Sequence, residues 1–164
     1  MKKFFSQTII KKILKYALYM FLALVVQNML FSHLRIFGVC PMILPAVAVS
    51  VGMFAGATGG TIFGLIMGIF ADMAYVENTV LFTVLFPALA FGADLVVRFY
   101  VNKRFFAFMG LSLAASFITA AAQMLLTFAG DVWSVSLVVT ALLQTVISLP
   151  VSAVAFLPPS RWIE

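Results

Sequence analysis

Long apolar runs, each closed by a short polar or charged stretch, organise this chain from end to end. Six runs follow one another, over about residues 13–31, 41–56, 60–74, 79–100, 105–130 and 132–157. A hydrocarbon core of roughly 30 Å takes about 20 helical residues, so the first run and the last three predict spanning helices. The second and third are short. They read either as two short spans or as one long, tilted or broken span across residues 41–74. Tyr16 and Tyr19 stand near the start of the first run, as interfacial aromatics do. Pro41 and Pro45 open the second, where the first helical turn tolerates proline because its N–H groups lack intrahelical partners. Pro87 and Pro150 predict kinks in the fourth and sixth runs.

Between Gly52 and Asp72 lie six of the ten glycines, at 52, 56, 59, 60, 64 and 68. Gly60, Gly64 and Gly68 step by four, and the next step lands on Asp72. That spacing lines one helix face. In lipid, a face of small residues lets a second helix approach closely. The ladder admits two uses, packing within the chain or docking of another protein's helix, and internal packing carries more weight because the chain supplies helices of its own. Asp72 is read either as a docking residue at the groove's outer mouth or as an interfacial acid that ends the helix. Gly56, Gly59 and Gly60 predict a tight reversal between the second and third runs, with Gly52 also assigned to the turn.

Charge decides between five spans and six. With six, nine of the ten Lys and Arg residues fall on one side, including Lys11, Lys12, Lys15, Arg98, Lys103, Arg104 and Arg161. With five, the basic turn at 98–104 is exported. The positive-inside rule therefore predicts six spans, with both termini cytoplasmic. The basic N-terminus is expected to remain as the first helix rather than be cleaved, since its apolar run is of full spanning length and no Ala-x-Ala site follows.

Composition agrees: 65% of residues are hydrophobic and 9% charged, against roughly a quarter charged in soluble domains. The chain reads as a single polytopic domain over residues 1–164, an all-α integral membrane bundle. The net charge of +5 sits at span ends and forms no nucleic-acid patch. One cysteine, Cys40, and one histidine, His33, give no disulfide and no metal-ligand cluster. No cofactor is expected. No catalytic motif is present. Asp72, Glu77 and Asp131 are the only acids available to a lipid-acting enzyme, the weakest of the readings considered.

Two polar stripes remain. Ser112, Ser116, Thr119 and Gln123 recur at helical spacing in the fifth run, and Ser136, Thr140, Gln144, Ser148 and Ser152 in the sixth. Steps of four drift by about 40° at 3.6 residues per turn, so the second stripe curls around its helix. The stripes are expected to face each other or a shared cavity. Asp94 and Arg98, four apart, form an expected intrahelical ion pair.

Gly38-x-x-Pro41, the run Phe63-Gly64-Leu65-Ile66-Met67-Gly68-Ile69-Phe70-Ala71-Asp72 and the basic turn Arg98-Phe99-Tyr100-Val101-Asn102-Lys103-Arg104 together resemble the MreD family of rod shape-determining membrane proteins. The resemblance implies a six-span bundle similar to the substrate-binding subunits of energy-coupling-factor transporters. It further implies a non-enzymatic scaffold of bacterial cell elongation that links cytoskeleton to peptidoglycan synthesis. Implied partners are an MreC-like bitopic protein, an MreB-type cytoskeleton and a RodA-type synthase complex, beside membrane lipid. The alternative is a vitamin-transporter binding subunit whose ligand sits between the polar stripes.

Overall fold

The computed structural model describes residues 2–31, 41–74, 80–99, 105–128 and 135–161. These form five α-helices: α1 (Lys2–Val26, continued by a π-helical turn Gln27–Phe31), α2 (Leu44–Ala74), α3 (Leu81–Phe99), α4 (Phe105–Phe128) and α5 (Val135–Arg161). Among the described residues, three helices are long and apolar enough to cross a membrane: α2, α3, and α4 over Phe105–Leu125. The expectations placed on His33, Gly38, Cys40, Glu77, Lys103, Arg104 and Asp131 lie outside the described residues.

α2 is two helices joined at a break. Gly56 has φ 82° and ψ 174°, a left-handed φ that glycine adopts without the Cβ penalty. The chain doubles back there. A Cβ placed on Gly60 lies 2.5 Å from the Cα of Gly52, whereas eight residues of unbroken helix separate by about 12 Å along the axis. The reversal therefore uses Gly56 alone. Gly59 and Gly60 already belong to the second arm, which starts near residue 57 rather than 60. Gly52 lies within the first arm and serves close packing rather than the turn.

The first arm, residues 44–55, is the centre of the molecule. Every residue from Pro41 to Met53 is buried. A helix that is apolar all round has no solvent face and belongs in a core. Leu44, Val47, Val49, Val51 and Met53 are each almost fully enclosed, together with Phe86 of α3 and Phe108 of α4. The flanking helices show lipid-type exteriors: Leu18 and Phe21 on α1, Ile62 and Phe70 on α2, Val84 on α3 and Phe106 on α4 stand 50–85% exposed. Apolar exposure on this scale is untenable in water and ordinary in a bilayer.

The remaining boundaries differ modestly from the hydropathy reading. α1 is one helix from Lys2, so the basic lead is continuous with the apolar run. α5 runs through Pro158 and Pro159 to Arg161, beyond the expected end at 157. Pro87 and Pro150 both lie inside helices.

Candidate functional site: the glycine ladder and its capping acid

The second arm of α2 and the helix α3 lie antiparallel in one register. A Cβ on Gly68 meets the backbone of Phe82. On Gly64 it meets the Phe86 carbonyl oxygen at 2.8 Å and the Pro87 nitrogen at 2.9 Å. On Gly60 it meets the Cβ of Ala90 at 3.5 Å, and on Gly56 the carboxylate of Asp94 at 3.8 Å. Four glycines climb one helix in steps of four while Asp94, Ala90, Phe86 and Phe82 descend the other. The groove expected from Gly60, Gly64 and Gly68 is thus filled by backbone of the same chain. Gly52, on the first arm, meets Ala90 from the other side, so three helical segments converge where no side chain larger than a methyl fits. At Gly52, Gly64 and Gly68 the atom nearest an added Cβ is a carbonyl oxygen of α3, an approach close enough for weak Cα–H to carbonyl contacts.

Asp72 ends the ladder and takes the N-terminus of α3. Its Oδ1 accepts the Phe82 N–H at 3.0 Å, and its Oδ2 accepts the Thr83 N–H at 2.8 Å and the Thr83 hydroxyl at 2.6 Å. The first N–H groups of a helix have no intrahelical acceptor, and a carboxylate there also opposes the positive end of the helix dipole. A capping role usually falls to the residue just before the helix. Here it comes from the preceding helix, ten residues upstream, because the antiparallel register delivers Asp72 to that point. Thr83 carried no sequence signal beyond a hydroxyl in the first turn of a run.

At the opposite end of the ladder, Arg98 Nε sits 2.7 Å from Asp94 Oδ2. The Asp94 side chain is 7% exposed and that of Arg98 61%. The pair is anchored in the core and open toward the surface beside the Gly56 turn.

The polar stripes meet across α4 and α5. Ser112 and Ser152 place their hydroxyls 3.2 Å apart. Ser112, Ser116, Thr119, Ser148 and Ser152 are buried, while Gln123 and Gln144 are half-buried. Ser136 and Thr140 lie on α5, with side chains outside the described set. Thr145, three residues before Ser148, is buried on this face. A strict search in steps of four passes it over, although a real helix face alternates threes and fours.

Three further groups, from α1 and α5, hold the central arm. The Met42 N–H donates to Ser148 Oγ at 3.0 Å, and the Ile43 N–H to Gln27 Oε1 at 2.8 Å. Gln27 Nε2 donates to the Pro41 carbonyl at 3.2 Å, in the extended residues ahead of α2. The Tyr19 hydroxyl donates to the Ala155 carbonyl at 2.8 Å, four residues before Pro159. Proline leaves the carbonyl at i−4 without its helical donor, and at Ala155 the Tyr19 side chain of α1 supplies one.

Among the described residues, two cavities flank this framework. One, of about 360 Å³, opens between α3 and α4 over Val49, and the other, of about 400 Å³, between α1 and the second arm of α2. Apart from the Tyr16 ring, both are lined by aliphatic side chains, phenylalanine and glycine. Among the described residues no cluster of three metal-ligating side chains occurs. Comparison with protein-family models, with curated proteins and with solved structures found no match.

Proposed function

We propose that this chain is a non-enzymatic membrane scaffold of the MreD kind, a part of the bacterial elongation machinery that couples cytoskeleton to wall synthesis. The observation that carries the reading is the use made of interior polar groups. Tyr19, Gln27, Asp72, Ser112, Ser148 and Ser152 all reach from one helical segment to another, and the two cavities beside them are apolar. Such an interior fixes helices in place and leaves broad apolar flanks for neighbours. The Phe63–Asp72 run that carries the resemblance is the same run that forms the ladder and its cap.

The topology we infer has six crossings: α1, the two arms of α2, α3, α4 and α5, with both termini on the cytoplasmic side. The first arm covers only about 18 Å as helix. Non-helical backbone is tolerated at membrane depth where protein surrounds it, and the extended residues 41–43 are buried with their groups bonded to Gln27 and Ser148. The transporter-subunit alternative rests on the polar stripes as a ligand site. It is weakened by Ser112 and Ser152 meeting each other and by Ser148 bonding the central arm.

The test is affinity purification from native membranes combined with depletion. An MreC-like bitopic protein, and a RodA-type synthase with it, is the expected companion, and loss of rod shape the expected phenotype. Recovery of an ATPase pair with a bound vitamin, or normal rods after depletion, defeats the proposal.

A further inference from the structure

We propose that the groove between α1 and the second arm of α2 is a binding site for one phospholipid with an anionic headgroup. The groove, of about 400 Å³, has Val51 and Phe63 as floor and Ile13, Ala17, Ile62 and Ile66 as walls. Ile13 and Ile62 are 62% and 58% exposed, so the groove is open along its length. The volume falls within the range of roughly 300–1,000 Å³ usual for small-molecule sites. It suits a flexible acyl chain better than a helix of about 10–12 Å diameter.

Charge selects the headgroup. α1 runs antiparallel to the first arm, since Gln27 bonds Ile43 while Tyr19 lies 3.4 Å from Ser50. Residues ahead of Tyr16 therefore reach the Gly56 end of the groove, between the lining residues Ala55 and Gly59. Lys12 lies one turn before Tyr16 on the flank of the groove and is exposed. Arg98 also belongs to this end, its Nη2 3.8 Å from the Cβ position of Gly56. Asp94 holds the Arg98 guanidinium at Nε, and the Arg98 side chain is 61% exposed. An apolar slot with cations at one mouth is complementary to an acyl chain bearing a phosphate. Long basic side chains reach the headgroup level while their stems cover apolar surface. A partner helix in the slot has no use for these charges.

The experiment uses the full chain in mild detergent, offered equal amounts of phosphatidylglycerol and phosphatidylcholine with identical acyl chains, and read by native mass spectrometry. Wild type is expected to retain one phosphatidylglycerol in preference. Lys12→Gln lowers that preference about fivefold, from about 1 kcal/mol per basic residue near the surface. Ala17→Phe fills the slot and lowers retention of both lipids. Both positions are exposed, and unchanged thermal stability checks that the fold survives. Equal retention of the two lipids by wild type overturns the proposal, as does a preference that neither substitution alters. A photocrosslinker at Ile62 that captures a polypeptide in native membranes overturns it as well.

Discussion

Gly64→Ala is the most direct measure of how tightly the ladder holds α3. The added methyl sits 2.8 Å from the Phe86 carbonyl oxygen and 2.9 Å from the Phe86 carbonyl carbon and the Pro87 nitrogen. All three are backbone atoms, so no rotamer change relieves the contact. Ordinary contact begins near 3.4 Å, which requires α3 to withdraw by about 0.6 Å. Taken along the bond, a shift of that size carries the Phe82 N–H to Asp72 distance from 3.0 Å past the limit of a useful hydrogen bond. Overpacking of this kind costs about 1–3 kcal/mol, and replacing glycine by alanine returns about 0.4–1 kcal/mol through the unfolded chain. The expected net destabilisation is about 1–2 kcal/mol. Gly68→Ala is expected to cost more, because its Cβ meets the Phe82 backbone more closely.

The control is built into the sequence. Gly92 and Gly110 are helical glycines at which an added Cβ has nothing within 4 Å. Gly92→Ala and Gly110→Ala are therefore expected to be neutral or mildly stabilising. The assay is reversible unfolding in mixed micelles against a denaturing detergent, followed by circular dichroism. Equal stability of Gly64→Ala and Gly92→Ala would show that the ladder bears no packing load, and the register argument would fail with it.

Further substitutions probe three separate joints. Asp72→Ala removes all three bonds at the start of α3 and is expected to cost about 2 kcal/mol. Thr83→Val removes only the 2.6 Å hydroxyl bond, and the pair is expected to be non-additive by at least about 0.5 kcal/mol in a double-mutant cycle. Ser148→Ala leaves the buried Met42 N–H without its acceptor and is expected to cost about 1–3 kcal/mol, read by the same unfolding assay. Tyr19→Phe keeps the ring stacked on Phe63 but deprives the Ala155 carbonyl of its donor. A cost of about 1–3 kcal/mol is expected, and Pro159→Ala, which restores a helical N–H to that carbonyl, is expected to reduce it.

What the sequence made legible follows from how local each signal is. The helical class and most helix extents rest on apolar run length, a local property, and α3 at Leu81–Phe99 falls within two residues of its expected ends. The reversal in the 41–74 stretch was readable as a glycine cluster, but not its hinge. Any of Gly56, Gly59 or Gly60 can adopt a positive φ, and the choice among them depends on which glycines α3 needs for close approach. Gly60 is taken by Gly52 and Ala90, so the bend falls to Gly56, whose outer face receives Asp94. The role of Asp72 was similarly half visible. An acid closing a small-residue ladder was plain, whereas its acceptor function requires the antiparallel register that sets it beside Phe82 and Thr83.

Pro159 carries this division further. It marks a carbonyl four residues earlier, that of Ala155, which lacks its helical donor. The donor, Tyr19, comes from a helix distant in sequence and is fixed only by packing. In a bilayer interior no water can stand in, and an unsatisfied carbonyl costs several kcal/mol. A polar side chain on a neighbouring span is then a requirement of such a proline rather than an ornament of the lipid-buried helix. Gln27 serves extended backbone in the same way, bonding the Pro41 carbonyl and the Ile43 N–H at the entry of the central arm. α1, with its exposed apolar flank, is thereby joined to the core through two polar side chains as well as through packing.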